Sequence, residues 1–214
     1  MEIDLKKLGM EKGQQYETII TTVNKDGKSN TAPFGLRVLD KDKIQLGIFE
    51  GGNTIKNLQE NNEFIVNVSS NPIMFTLASI NTIPEEHITR IKKEDKELAY
   101  FTETDAYFIC EIESIKAGLR KDQINESTRY HIKANVKEIC INKKCPKVIN
   151  RGIHALIESL VNYSRINIVN EEMQEYYIER IKESERIIKK VGSAEEKEAI
   201  NILVEELRKE KFDI

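Results

Sequence analysis

The sequence predicts a mainly β fold followed by helices. We expect a six-stranded antiparallel Greek-key barrel, closed or partly split, over residues 1–149, and a three-helix segment over residues 150–214. Three observations lead to this prediction. Residues 16–70 and 106–142 contain runs in which apolar and polar residues alternate and β-branched residues are frequent. No strand–helix–strand pattern repeats, which disfavours a doubly wound parallel sheet. From Asn150 onward the apolar residues recur with the period of a helix.

Three strands are predicted in the first fifty residues. The first begins at Tyr16 in the run YETIITTVN, and Asp26-Gly27 after it is a strong hairpin signal because glycine tolerates the positive φ of a tight turn. The return strand, from about residue 29 to 39, contains Pro33. Because proline has no amide proton for a ladder, this strand is expected at an edge or with a bulge. The run IQLGIF, residues 44–49, is the third strand.

The next elements are two short helices and a strand. A helix is predicted from Thr54 to about Glu60, with Asn53 as its N-cap, and the strand EFIVNVSS follows over residues 63–70. Asn71-Pro72 then opens a second helix, with proline at its first position.

The remaining β-runs are longer and are separated by polar segments. Strands are predicted over residues 105–115 and 129–142, joined by a polar connection over 116–128. Residues 81–105 are mixed and polar, and no element is assigned to them.

Three amphipathic helices are predicted after residue 150. The second is expected to end at Gly192, and Ser193 with Glu196 forms a capping box for the third. The expected core-facing residues are Ile153, Leu156, Ile157, Leu160 and Val161 on the first helix, Tyr177, Ile181, Ile188 and Val191 on the second, and Ala199, Ile200, Leu203, Val204 and Leu207 on the third.

Composition excludes several classes of function. The chain has 214 residues and a net charge of −3, and its first 149 residues carry equal numbers of basic and acidic side chains, so no nucleic-acid partner is expected. No apolar run is long enough to span a membrane, and the acidic N-terminus lacks a leader pattern. The three cysteines, Cys110, Cys140 and Cys145, suit a reducing compartment and lack the spacing of a zinc site. We therefore expect a cytoplasmic protein without a metal.

The stretch from Asn30 to Asn57 contains the features most suggestive of a ligand site. The run NTAPFG lies in a proline-interrupted strand, whose backbone groups a planar ligand could engage. The run GGNT opens a helix, and a helix N-terminus offers unpaired amides and partial positive charge to a phosphate, with Thr54 adding a hydroxyl and Lys56 a cation. The alternative interpretation is structural: the glycines make a turn and Asn53 caps a helix.

The order of these motifs resembles the FMN-binding split-barrel superfamily. NTAPFG is followed by a strand ending in IF, then by GNTIKNLQ, and then by the strand EFIVNV. With the tail that begins NRGIHALIESLV, the whole chain is similar to a mainly archaeal family of unknown function within that superfamily. The resemblance spans residues 16–70 by motif and the later strands by pattern.

The resemblance implies a flavin cofactor, FMN rather than FAD. Residues 30–35 would line the isoalloxazine ring largely through their backbone, and Asn53, Thr54 and Asn57 would meet the ribityl chain and phosphate. The candidate cofactor-binding residues are Asn30, Thr31, Ala32, Pro33, Phe34, Gly35, Gly47, Phe49, Asn53, Thr54, Lys56, Asn57 and Arg151.

Two positions depart from the flavin-reductase pattern. Gly35 stands where those enzymes have serine, and Gly52-Asn53 stands where they have Lys-Asp. The phosphate charge would then be met by another cation, and the candidates are Lys56, Arg37, Arg120 and Arg151.

The resemblance also implies an assembly and an activity. Two barrels would pair as a homodimer with the flavin at the interface, and the protein would be an FMN-dependent oxidoreductase of the flavin-reductase type with a small-molecule electron donor or acceptor. Two alternatives remain open at this point: a deazaflavin-dependent oxidoreductase on the same barrel, and a non-catalytic small-barrel binding module.

Overall fold

A computed structural model describes residues 3–80, 82–93, 96–121, 126–210, 212 and 214 of the chain. The chain divides into two compact units, Met1–Ile149 and Asn150–Ile214. Each unit is described by itself.

The first unit contains eight strands and two α-helices among its described residues. They are β1 (Gln15–Val23), β2 (Ser29–Asp40), β3 (Lys43–Phe49), α1 (Asn53–Glu60), β4 (Glu63–Val68), α2 (Pro72–Ser79), β5 (Ile88–Lys93), β6 (Lys96–Phe101), β7 (Ala106–Lys121) and β8 (Glu126–Ile141), with 3-10 helices at Leu5–Leu8 and Glu85–His87.

Six of these strands close into an antiparallel barrel in the order β1-β2-β3-β8-β7-β4. Strands β1, β2 and β3 are sequential neighbours, and β4 returns through α1 to lie beside β1, which is the Greek-key arrangement. The predicted fold class is thus confirmed. Alternate residues of each strand point inward, and Leu36, Leu46, Phe64, Phe108 and Ile132 are among the fully buried side chains of the core.

The hairpin between β1 and β2 forms at the predicted turn. Gly27 has a φ of 76°, and the side-chain oxygen of Asn24 accepts hydrogen bonds from the amides of Asp26 and Lys28 at 3.0 and 2.8 Å. The two strands then pair without a break from Val23↔Ser29 to Gln15↔Arg37.

Strands β2 and β3 pair only near their shared turn. Their register runs from Asp40↔Lys43 to Leu36↔Leu46 and ends there. The earlier half of β2, residues 29–35, keeps β1 as its neighbour, while Gly47–Phe49 of β3 keeps β8. The barrel wall therefore splits between these two half-strands, and Pro33 lies on the open edge as the sequence predicts.

Two β features differ from the sequence-based prediction. Strands β5 and β6, which form a separate two-stranded sheet, lie within residues 81–105, where the sequence predicts no element. Strands β7 and β8 extend into the predicted polar connection: β7 continues to Lys121 and β8 begins at Glu126, both within residues 116–128. The backbone pairs there although the segment is polar, so polarity alone does not indicate a loop; residues 122–125 of the connection lie outside the described residues.

The second unit consists of α3 (Arg151–Ile166), α4 (Glu171–Val191) and α5 (Ala194–Lys209). Gly192 ends α4, and the Ser193–Glu196 capping box forms in both directions. The predicted faces of α4 and α5 are confirmed at Ile181, Ile188, Ile200, Leu203, Val204 and Leu207, which are buried together.

The predicted core face of α3 is wrong except at Leu156. Ile153, Ile157 and Leu160 are between 43% and 49% exposed. The buried side of α3 instead carries small or polar residues, among them Gly152, Ala155 and Ser159. The helix packs closely there, since a Cβ at Gly152 would lie 2.9 Å from the Cα of Gly192. Because close packing requires small residues, α3 buries the side that carries them and exposes the side that carries large aliphatic residues.

No helix among the described residues combines the length and the apolar character that crossing a membrane requires.

Candidate functional site

An open groove of about 420 Å³ lies where β2 and β3 separate. Seven of the predicted residues line it: Asn30, Thr31, Ala32, Phe34, Phe49, Asn53 and Thr54. Five residues outside the predicted set complete the lining: Ile48, Glu50, Gly52, Ala78 and Ser79. The groove therefore joins the two half-strands, the start of α1 and the end of α2.

The open edge of β2 forms one wall of this groove. Val38 exchanges backbone hydrogen bonds with the residues that lead into β1, donating to Gln14 and accepting from Gly13. Since the direction of backbone groups alternates along an antiparallel strand, Thr31 and Pro33 direct theirs away from β1. Pro33 thus removes no ladder bond, and the backbone of Thr31 faces the open edge.

A hydrogen bond fastens this wall to helix α1. The Asn30 side-chain amide donates to the Thr54 hydroxyl oxygen at 2.9 Å. Thr54 is only 4% exposed, and its oxygen serves as an acceptor in this bond, so the hydroxyl keeps its own proton available for donation. The start of β2 and the start of α1, which are 24 residues apart in sequence, therefore meet at one site.

The start of α1 presents backbone amides to the groove. The N-cap is Gly52, and within the described residues no side chain caps it. The prediction of Asn53 as the N-cap is therefore wrong by one residue: Gly51 adopts a φ of 92°, which glycine tolerates, and the helix begins at Asn53 itself. An N-terminus without a side-chain cap leaves amides and partial positive charge for an anion.

The loop before α1 is held in place by the neighbouring strand. The Glu50 amide donates to the Thr128 carbonyl at 3.0 Å, and the Thr128 amide donates to the Glu50 carboxylate at 3.2 Å. These two hydrogen bonds link the groove to β8, and the second one satisfies part of the hydrogen-bonding capacity of the Glu50 carboxylate.

The other six candidate residues do not line the groove. Asn57 is buried, and its amide donates to Thr22 at 3.0 Å, which is a contact within the fold. Gly35 gives room to Gln15, because a Cβ there would lie 2.4 Å from the Gln15 amide nitrogen. Pro33 lies at the open edge of β2, and Lys56 is exposed on α1. Gly47 lies under the side chain of Arg129, and Arg151 begins α3 in the second unit.

The alternative cations have different positions. Arg37 is exposed on β2, in the part of the strand that pairs with both β1 and β3. The Arg120 side chain lies outside the part of the chain that the structure describes.

The titratable groups with shifted pKa values do not line the groove. Burial raises the pKa of Tyr107, which stacks on Tyr100 with ring centroids 4.1 Å apart, and burial also raises the pKa of Cys140 and of Cys110. In the described ranges no group of three or more His, Cys, Asp or Glu residues could hold a metal ion. The described lining offers backbone amides, hydroxyls, apolar surface and the Glu50 carboxylate to a ligand.

The barrel with its divergent β2 and β3, followed by three helices, defines a split-barrel protein with a helical extension. A match to the family described as "Protein of unknown function (DUF447) N-terminal domain" spans residues 16–143, and a match to "Protein of unknown function (DUF447)" spans residues 150–205. The chain belongs to the DUF447 family.

Known proteins are similar over most of the chain. An uncharacterized protein from Methanocaldococcus jannaschii is 27% identical over 201 residues, which is 88% of this chain and 96% of that protein. The crystal structure of an FMN-bound DUF447 protein from Methanosarcina mazei has a TM-score of 0.56 at 24% identity and covers 94% of this chain and 99% of that one. The styrene monooxygenase flavin reductase from Pseudomonas putida S12 has a TM-score of 0.48 at 13% identity, over 63% of this chain and 85% of that one.

Proposed function

We propose that this protein binds FMN in the groove between β2 and β3. The observation that carries the proposal is the Asn30–Thr54 hydrogen bond, because it places the open strand edge and the uncapped helix start at one groove. The fold that this chain shares with the FMN-bound protein from Methanosarcina mazei supports the choice of ligand.

The groove has the features that a flavin requires. Its volume lies in the range of small-ligand sites, and the lining combines aromatic surface at Phe34 and Phe49 with small residues such as Ala32 and Ala78. The outward-directed backbone of Thr31 suits the polar edge of a planar ring. The α1 amides and the Thr54 hydroxyl suit a phosphate.

We also propose an oxidoreductase activity of the flavin-reductase type, with a small molecule as electron donor or acceptor. A bound flavin accepts and passes on electrons through its own ring. The protein would bind and orient that ring and limit its contact with water. None of these tasks needs an acid or base from the groove.

The Thr54→Val substitution tests the helix-start part of this proposal. It removes a buried hydroxyl that would donate to the phosphate, so the Kd for FMN should rise about 5- to 30-fold, which corresponds to about 1–2 kcal/mol. Fluorescence titration with FMN measures the change. Thr76→Val, which alters an exposed helical threonine outside the groove lining, is the matched control and should leave the Kd unchanged. Equal affinities of the Thr54 variant and the wild type would contradict the phosphate role of Thr54.

We further propose that the protein acts as a homodimer with the groove at the interface. Large apolar side chains lie exposed at the groove: Phe49 lines it and is 48% exposed, and Ile80, which follows Ser79 of the lining, is 61% exposed. A second copy would cover these side chains and the open face of a flavin.

Sedimentation velocity tests this assembly. The wild type should sediment as a dimer, and Ile80→Lys should sediment as a monomer because it places a charge in the interface. Ile202→Lys, at a similarly exposed isoleucine on α5, should remain dimeric. A monomeric wild type, or a dimer that only the Ile202 variant dissociates, would contradict an interface at the groove.

A further inference from the structure

Arg129 of β8 folds across the neighbouring strand β3. Arg129 pairs with Phe49, and its guanidinium carbon lies 5.6 Å from the centre of the Phe49 ring. The guanidinium also covers Gly47, because a Cβ at Gly47 would lie 2.3 Å from an Nη atom and 2.4 Å from Nε of Arg129. The absence of a side chain at Gly47 therefore creates the space that the guanidinium occupies.

The guanidinium lies beside the groove. Gly47 and Phe49 belong to the half of β3 that has β8 as its strand neighbour and faces the split on its other side. A group lying over Gly47 is within one strand spacing, ~5 Å, of that open edge. Phe49, whose ring the guanidinium contacts, is itself part of the groove lining.

Apart from its contact with the Phe49 ring, this guanidinium has no hydrogen-bond or ion-pair partner among the described residues. Its Nε is buried and donates no hydrogen bond, and no carboxylate of the described chain forms an ion pair with it. Arg90 and Arg186, in contrast, each pair with a glutamate at 2.6 Å. A buried donor without an acceptor is destabilising, and such groups in native proteins call for an explanation such as a ligand.

We propose that Arg129 binds the phosphate of the flavin and supplies the cationic side chain that the start of α1 lacks. The inference rests on the proposed function and extends it to a residue that motif reasoning did not select. A guanidinium offers several N–H donors in a planar fork that matches phosphate oxygens. Lys56, which the motifs suggested for this role, is exposed and outside the groove lining.

Comparing FMN with riboflavin separates the phosphate from the ring. We expect Arg129→Gln to raise the Kd for FMN about 10-fold or more, and to change the Kd for riboflavin less than about twofold, since riboflavin has no phosphate. Arg129→Lys should retain part of the preference for FMN because it keeps the charge. Lys56→Gln is the matched control and should change neither Kd.

A second variant tests the same contact without altering the arginine. Gly47→Ala introduces a methyl group where the guanidinium lies, so Arg129 must move. We expect this variant also to lose preference for FMN over riboflavin, and the double variant with Arg129→Gln to lose little more than either single change. Unfolding midpoints by circular dichroism verify that each variant is folded.

Two kinds of result would contradict the role of Arg129. An unchanged Kd for FMN in folded Arg129→Gln, or an equal loss for FMN and riboflavin, overturns the assignment of Arg129 to the phosphate while flavin binding stands. A wild-type protein that binds neither flavin overturns the proposed function and this inference together.

Discussion

Replacing Ala32 with phenylalanine is expected to raise the Kd for FMN about 10- to 100-fold. Ala32 lines the groove from β2, and a phenyl ring at this position would occupy space between the open edge of β2 and the start of α1. A ligand would then have to displace the ring or bind outside the groove, and overpacking of this kind costs about 1–3 kcal/mol.

The experiment needs a control for the aromatic substitution itself. Ala117→Phe makes the same change at an exposed position of β7 outside the groove lining, and it should leave FMN affinity within about twofold of the wild type. Fluorescence titration with FMN gives both Kd values. Because the groove is open, the Ala32 variant should unfold within about 1 kcal/mol of the wild type. Undiminished FMN binding by the Ala32 variant would mean that flavin binds elsewhere.

Replacing Asn67 with alanine is expected to cause the largest loss of stability among the polar residues of the barrel. Asn67 is fully buried on β4. Its side-chain amide donates to the Ile19 carbonyl at 2.9 Å and to the Thr21 hydroxyl at 2.8 Å, and its carbonyl oxygen accepts from the Phe101 amide at 2.9 Å. One side chain thus joins β4 to β1 and to β6.

Alanine at position 67 removes all three hydrogen bonds and leaves the Phe101 amide without this buried acceptor. The free energy of unfolding should fall by about 3 kcal/mol or more, measured by urea unfolding followed by circular dichroism. Asn62→Ala is the matched control, because Asn62 is exposed and its side-chain oxygen bonds only Lys96 among the described residues; its effect should stay within about 0.5 kcal/mol. Equal losses in the two variants would show that the Asn67 network contributes little.

The parts of the fold that could be predicted from sequence depend on local geometry. Gly27 in the hairpin, Pro72 at the start of α2 and the Ser193–Glu196 capping box each form hydrogen bonds or adopt dihedral angles that a few adjacent residues determine. Pro33 also belongs here, because a residue without an amide proton is compatible with only a few places in a sheet.

The parts that could not be predicted depend on contacts between distant segments. Helix α3 presents two possible faces, and only packing against α4 and α5 selects the one with small residues. Strands β5 and β6 are rich in charged residues, and their pairing is not apparent from either segment alone.

In the candidate site, too, local motifs could be predicted and contacts between distant segments could not. The wall from β2 and the start of α1 could be predicted from motifs, whereas Ala78 and Ser79 enter the lining only because α2 packs near β2. Arg129 carries no motif, and its position over Gly47 depends on the register of β3 with β8. Asn67, in contrast, belongs to a motif but does not line the groove. It lies in the strand EFIVNV that contributes to the flavoprotein resemblance, and its hydrogen bonds join β4 to β1 and β6.

A crystal structure of this protein with FMN tests the central claim most directly. We expect one flavin per chain in the groove between β2 and β3, with its phosphate near the start of α1 and the Arg129 guanidinium. Flavin density at any other surface, or crystals grown with excess FMN that contain no flavin, would contradict the claim.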